Sequence, residues 1–287
     1  MHFAQSRCRK CDLVFSNPVV DQLELERFYV TQYYEQEERR YNANSPDLER
    51  LVLHRACQEL EGLKNIVIPY VPSGRFFEIG AGHGSLLYAA RQLGFEVAGV
   101  EPSASAVKFG QERLGLDELR KGIFNSSCWP PASFDVVYSY HVIEHVLDLQ
   151  AFVNGIYRIL KPGGLAVIGT ENHHNTWVQY QTVRSWLTGH LLPEFQTASH
   201  HTFYFCNHSM RSLLQRHGFE INKCLVYTHS LEEKLKDAHF RSILTKGFFY
   251  LLHYGDAWTG RGNRLLVWCS KPTVEGSLTA SERARIA

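Results

Sequence analysis

Apolar residues recur at two different periods along the chain, and the change of period divides it. Leu48, Leu51, Val52, Ala56, Leu60 and Leu63 fall at steps of three and four. That spacing predicts an amphipathic helix, capped by Ser45 or Asp47 and ended by Pro69–Gly74. From Arg75 onward the pattern becomes short apolar runs separated by helix-length stretches. Arg75–Ile79, Phe95–Val100, Phe134–Tyr140 and Leu165–Thr170 read as strands. The stretches ending at Arg91, running from Ser103 to Leu114, and from Leu147 to Leu160 read as helices, with a turn at Lys161-Pro-Gly-Gly164. Strands alternating with helices of this length predict an α/β fold, a doubly wound and mostly parallel sheet.

The flanks follow other rules. Residues 1–20 read as a loop-rich lead and Asp21–Tyr34 as a helix. Between 171 and 206 the alternation stops in a polar, aromatic segment. Its Trp177, Tyr180, Trp186 and Phe195 could line an apolar acceptor site or pack the segment itself. A helix over Asn207–His217 stops at Gly218. Ile221–Tyr227 and Arg264–Ser270 read as strands, with a long helix over Leu231–His253 between them. The expected organisation is therefore a helical N-terminal cap (1–70) and a main domain (71–270). The domain carries a lid insert at 171–206 and a helical insert at 231–258, and a flexible tail (271–287) follows it.

Composition narrows the class. Of 287 residues, 44% are hydrophobic and 21% charged, a globular mix. A net charge of +1 leaves no basic excess to neutralise a phosphate backbone, so no nucleic-acid partner is expected. No stretch reaches the ~20 apolar residues of a membrane helix, so no membrane partner is expected either. Met1–Val20 lacks the apolar core of a signal peptide, and seven cysteines are an odd count. Together these point to a reducing, cytoplasmic compartment. Cys8-Arg-Lys-Cys11 supplies two zinc thiolates where a closed site needs four ligands. His2 could add to it, but a metal-free remnant is the preferred reading.

Phe77-Glu-Ile-Gly80-Ala-Gly82-His-Gly84-Ser85 follows a strand and opens a helix. Glycines there allow tight turning and close approach of backbone to a ligand. Glu101 stands 21 residues after Gly80, where a carboxylate can accept both ribose hydroxyls of a nucleoside cofactor. A dinucleotide loop would place its third glycine at position 85, which is Ser85; here the third is Gly84.

With that loop, Val100-Glu-Pro-Ser103, Ser133-Phe-Asp-Val-Val137, His141-Val-Ile-Glu-His145 and Leu160-Lys-Pro-Gly-Gly164 stand in the order and spacing of a known family. Over residues 73–225 the chain resembles the class I S-adenosylmethionine-dependent methyltransferases. The resemblance implies a Rossmann-like fold, S-adenosylmethionine as cofactor and a small-molecule acceptor. It implies that Gly80, Gly82 and Gly84 line the methionine part, with Glu78 beneath them near the amino group. Glu101 would hold the ribose, Pro102 and Ser103 would flank the adenine side, and Ile123 and Phe124 would face the adenine. Tyr140 and His141 would border the sulfonium. The family often has an acid where Phe124 or Asn125 lies, and this chain has none. Arg7–Pro18 and the Tyr33-Tyr34 pair resemble the start of bacterial small-molecule methyltransferases that carry an N-terminal zinc-ribbon-like segment. Those usually have an earlier C-x-x-C, so the ribbon here reads as degenerate. Glu171-Asn172 and His200–Phe205 resemble two blocks bordering that group's acceptor pocket.

The chain has 15 histidines, and eight of them (His141, His145, His173, His174, His190, His200, His201 and His208) fall between 141 and 208. His141-x-x-Glu144-His145 has the spacing of a zinc-protease motif, which requires a long helix and a third ligand. Ubiquinone-pathway and small-RNA 2′-O-methyltransferases resemble this chain in having E-x-x-E-H at that place, holding a divalent cation. With His200 or His201 added, such a site is conceivable here. The preferred reading assigns no metal: Glu144 and His145 bond the loop, and His141 shapes the pocket. Methyl transfer needs positioning of the acceptor and, for a hydroxyl, a base. The candidates are His141, His145, His200 and His201. His173, His174 and His190 are expected on a solvated or lid surface. The leading expectation is O-methylation of a sugar, phenol or secondary metabolite. A metal-dependent hydrolase using His141, Glu144 and His145, and a catalytically silent cofactor-binding protein, remain as alternatives.

Overall fold

The run Phe76–Ile79 is apolar but for one acid, and it is buried throughout. A strand of that kind needs a layer on each side of it. The computed structural model describes residues 4–17, 46–189, 201–228, 256, 259 and 261–273. Along the chain these form β1 (Ala4–Arg7), β2 (Val14–Asn17), α1 (Pro46–Ile66), β3 (Arg75–Ile79), α2 (Ser85–Gln92), β4 (Glu96–Glu101), α3 (Ala104–Leu114) and β5 (Leu119–Lys121). There follow β6 (Phe134–Tyr140), α4 (Leu149–Ile159), β7 (Leu160–Glu171), α5 (Thr176–Thr188), β8 (Phe203–Tyr204), α6 (Asn207–Arg216), β9 (Glu220–Tyr227) and β10 (Arg264–Ser270).

Seven strands make one sheet in the order β5-β4-β3-β6-β7-β10-β9. The pairs from β5 through β7 are parallel, and β10 runs antiparallel to both β7 and β9. Strand order reverses between β3 and β6, so a crevice opens there at the C-terminal ends of the strands, where open α/β sheets bind ligands. The doubly wound, mostly parallel sheet expected from the sequence is the one observed.

Each face carries its own core. Leu48, Val52, Ala56 and Leu63 of α1 recur on one side of the helix and pack with Leu86, Leu87 and Phe109 over Phe76 and Trp268. On the other face Phe152, Val153, Ile156 and Ile159 of α4 join Met210 and Leu214 of α6 over Phe77 and Ile79. Local chemistry sets the helix ends. Asp148 accepts a hydrogen bond from the Ala151 N–H at 2.9 Å and starts α4. Gly115 at φ 63° ends α3, and Gly218 at φ 88° follows α6.

Three local expectations change. The lead at residues 1–20 contains a β-hairpin, β1 with β2, which β8 extends to a small antiparallel sheet. Lys161–Gly164 lies inside β7, as an irregularity where the β6–β7 register shifts between Phe134 and Val136. A helix, α5, occupies part of the 171–206 insert, and Trp186 on it is 83% exposed, so that ring is not enclosed by the described residues. The helices expected over Asp21–Tyr34 and Leu231–His253 lie outside the described residues. No helix among the described residues is long and apolar enough to cross a membrane.

Candidate active site

The glycine loop sits at the crevice. Gly80, Gly82 and Gly84 have φ of 76°, 51° and 84°, a region that side chains disfavour. Their surroundings differ. A Cβ on Gly80 would come within 2.5 Å of Val142 Cγ2, and one on Gly84 would run into the Leu116 side chain. A Cβ on Gly82 would meet no heavy atom within 4 Å. Packing therefore excludes side chains at the outer two glycines, whereas Gly82 borders open space.

The acids around the loop are placed by the ends of β3 and β4. Glu101 is buried; its Oε2 accepts the Gly82 N–H at 2.8 Å and its Oε1 the Ser103 N–H at 2.9 Å. The carboxylate thus pins the loop to the start of α3 and still has lone pairs for ribose hydroxyls. Ser103 caps α3, its Oγ accepting the Ala106 N–H at 3.2 Å. Glu78 is buried beneath the loop with Oε2 lacking a hydrogen-bond partner. Burial, then the charges of Glu59 and Glu101, push its carboxyl well above the usual carboxylate range. Of the residues expected near adenine, Ile123 is 67% exposed, while Phe124 packs against Phe77 and Phe152.

Beside the loop, β6 ends in Tyr140 and His141. The Tyr140 hydroxyl shares a 2.7 Å hydrogen bond with that of Tyr227. His141 has φ 57°, a conformation uncommon for a residue with a side chain and concentrated at functional sites. Its Nδ1 lies 2.8 Å from Glu144 Oε1. Burial raises the Glu144 pKa, but the His141 hydrogen bond and the charges of His145 and His141 outweigh it, and the net shift is downward. An ionised carboxylate only accepts, so His141 Nδ1–H is the donor and Nε2 is left facing away from Glu144. Residues 141–145 form a turn between β6 and α4, not the long helix of a zinc-protease motif.

The small sheet carries a further part of the site to this turn. Ser16 Oγ donates to the His201 carbonyl at 2.9 Å, and the N–H groups of Thr202 and Phe203 donate to the Glu144 carbonyl. The His145 and His201 rings meet edge to face with centroids 4.7 Å apart. Ligand atoms of Glu144, His145 and His201 lie within 4.8 Å of one another.

The remaining histidines separate from this group. His200 and His190 lie outside the described residues. His173 is half-buried: burial, then the charges of His174 and Arg7, push its pKa down to about 4. His174 and His208 line a polar cleft of about 480 Å³ with Asp12, Asn172 and Arg261, apart from both the loop and the His145–His201 pair. Cys8 and Cys11 are unpaired thiols in the β1–β2 turn, and no third metal-ligating side chain joins them among the described residues.

Two participants carried no motif. Tyr227 is reached only through the antiparallel pairing of β9. Glu59 had one readable signal: it stands in the apolar stripe of α1, three residues after Ala56 and four before Leu63.

Sheet order, loop and acids define a nucleoside-binding α/β domain. The chain belongs to the methyltransferase-domain family, whose model matches residues 45–223. Among curated proteins it is similar to a ubiquinone biosynthesis O-methyltransferase of Bradyrhizobium, 37% identical over 103 residues, covering 35% of this chain. That match spans only 41% of the relative's length. Among solved structures it is similar to an S-adenosylmethionine-dependent methyltransferase of Archaeoglobus fulgidus (TM-score 0.52, 20% identity, 84% of this chain and 100% of that chain). It is also similar to geranyl diphosphate C-methyltransferase of Streptomyces coelicolor (TM-score 0.53, 17% identity, 79% of this chain and 83% of that chain). The domain is of the S-adenosylmethionine-dependent kind. The residues present suit that cofactor: open space over Gly82, lone pairs on Glu101 and an unpartnered oxygen on Glu78.

Proposed function

We propose that the protein methylates a hydroxyl of a small organic acceptor, a sugar, phenol or secondary metabolite, with His141 as the base. The observation that carries this is the His141–Glu144 pair, held at φ 57° on the turn whose Val142 abuts Gly80. The name of the Bradyrhizobium relative favours a phenolic hydroxyl. Seven unpaired thiols suit a reducing, cytoplasmic setting.

When bound, S-adenosylmethionine would supply a methyl group on a sulfonium, whose sulfur leaves readily as a neutral thioether. The chain's own task is to place the acceptor oxygen in line with it, which supplies much of the acceleration. Gly80, Gly82, Gly84, Glu78 and Glu101 hold the cofactor, with Pro102, Ser103 and Ile123 on its adenine side. Phe124 backs that side from the core. Tyr140, braced by Tyr227, borders the reacting centre. His141 Nε2 accepts the hydroxyl proton, and the Glu144 carboxylate holds the ring and stabilises the imidazolium that results. His145 and His201 line the acceptor side of the same turn.

The test uses His141→Asn, since asparagine tolerates positive φ. Transfer of labelled methyl to hydroxylated acceptors should fall about 10²–10⁴-fold with S-adenosylhomocysteine affinity unchanged. Undiminished turnover would remove His141 as base, and a wild-type protein that binds cofactor but methylates no acceptor would be a silent binder. A second reading rests on the Glu144, His145 and His201 cluster, which has the donor types of a divalent-cation site. There the cation would hold the acceptor oxygen. Turnover insensitive to chelation, with no ion retained on dialysis, would exclude it.

A further inference from the structure

Three carboxylates converge on the glycine loop from three elements, and they are not equivalent. Both oxygens of Glu101 are bonded to backbone N–H groups. Glu78 on β3 and Glu59 on α1 each keep one buried oxygen, Oε2, without a hydrogen-bond partner. Glu78 is only 7% exposed and takes a backbone hydrogen bond from Leu87. Glu59 Oε1 accepts the Ser85 hydroxyl at 3.0 Å, so its carboxylate is held at the residue that opens α2. The charge of Glu59 raises the Glu78 pKa, and both acids raise that of Tyr138.

The groups facing this pair do not complete it. Arg55, one turn earlier on α1, is exposed and only moderates Glu59. Tyr138, opposite Glu78 on β6, and His83 in the loop are the other titratable groups nearby. None donates to either Oε2. Two buried, unpaired carboxylate oxygens at one loop are costly unless a cation with N–H donors meets them. S-adenosylmethionine carries two cationic centres, and its sulfonium has no hydrogen to donate. Its α-ammonium has three.

We propose that Glu59 joins Glu78 at the subsite for the cofactor's α-ammonium, which makes helix α1 part of the cofactor site. In the free protein burial, opposed by Ser85 and Arg55, leaves Glu59 pushed up to about 7, and burial raises Glu78 as well. Glu59 therefore holds a proton for much of the time near neutrality. The incoming ammonium takes that proton's place, and the proton leaves to solvent. This inference rests on the cofactor and is independent of the acceptor.

The experiment compares wild type and Glu59→Gln by calorimetric titration with S-adenosylhomocysteine and with 5′-methylthioadenosine, which lacks the amino-acid arm. At pH 7.5 the substitution should weaken S-adenosylhomocysteine about tenfold or more and leave methylthioadenosine unchanged. Repeating the titration near pH 6.5 in buffers of different ionisation enthalpy should show about one proton released by wild type and less by Glu59→Gln. Ser85→Ala, which leaves the carboxylate present but unheld, should shift affinity the same way by less. Equal weakening of both ligands, unchanged S-adenosylhomocysteine affinity or unchanged proton release would overturn the subsite. Failure of wild type to bind either ligand would overturn the cofactor assignment beneath it.

Discussion

Gly82 and Gly84 stand two residues apart with the same sign of φ, yet their tolerance to substitution should differ. A left-handed conformation costs a side chain about 1–2 kcal/mol at either position. At Gly84 the Leu116 side chain adds overpacking, about 1–3 kcal/mol more. Gly82→Leu should therefore melt only slightly below wild type while losing S-adenosylhomocysteine binding, because its side chain fills the open space over the loop. Gly84→Leu should melt well below it. Melting curves and a titration on the same samples separate the two outcomes. Full affinity in Gly82→Leu would contradict the placement of the loop. The loop glycines and Glu101 were legible because strand, turn, helix and acid follow one another within 30 residues. The strain at His141 was not, since positive φ in a histidine leaves no mark in a sequence.

Helices α3 and α4 were readable from their length and their alternation with strands. The Asp148 cap can be checked alone: it is local, with a single bond to the Ala151 N–H. Asp148→Ala should cost about 1 kcal/mol in denaturant unfolding, with cofactor affinity unaffected. The hairpin of β1 and β2 was read as loop for a physical reason. Its strands are four residues long and β1 is Ala-Gln-Ser-Arg, so no apolar alternation announces it. Its third strand, β8, lies far along the chain at Phe203–Tyr204, and such pairing exists only after the chain has folded. That sheet nonetheless brings His201 against His145. Ser16→Ala removes its hydroxyl bond to the His201 carbonyl and should lower both stability, by about 1 kcal/mol, and turnover.

The unliganded molecule should respond to pH in a direction opposite to that of most carboxylates. Burial raises the Glu59 pKa from 4.5 to about 7, so between those values the folded state binds more protons than the unfolded one. Stability then falls as pH rises through that window and levels above it. Melting temperatures from pH 5 to 8 should show this decline, reduced in Glu59→Gln and offset by saturating S-adenosylhomocysteine, which stabilises by mass action. Identical pH profiles in the two proteins would place the ionisation elsewhere.

The sheet class, the glycine loop, Glu101 and the turn at His141–His145 could all be read along the chain, because each is encoded in a few neighbouring residues and in the period of its apolar positions. Folding added what depends on contacts between distant segments. It brought Glu59 of α1 to the loop above Glu78 of β3, joined Tyr140 to Tyr227 across the sheet, and used the N-terminal hairpin to hold His201 at His145. It also divided the histidine cluster that composition had presented as one group. Position along the chain says which histidines are near in number, whereas burial and hydrogen bonding decide which share a site.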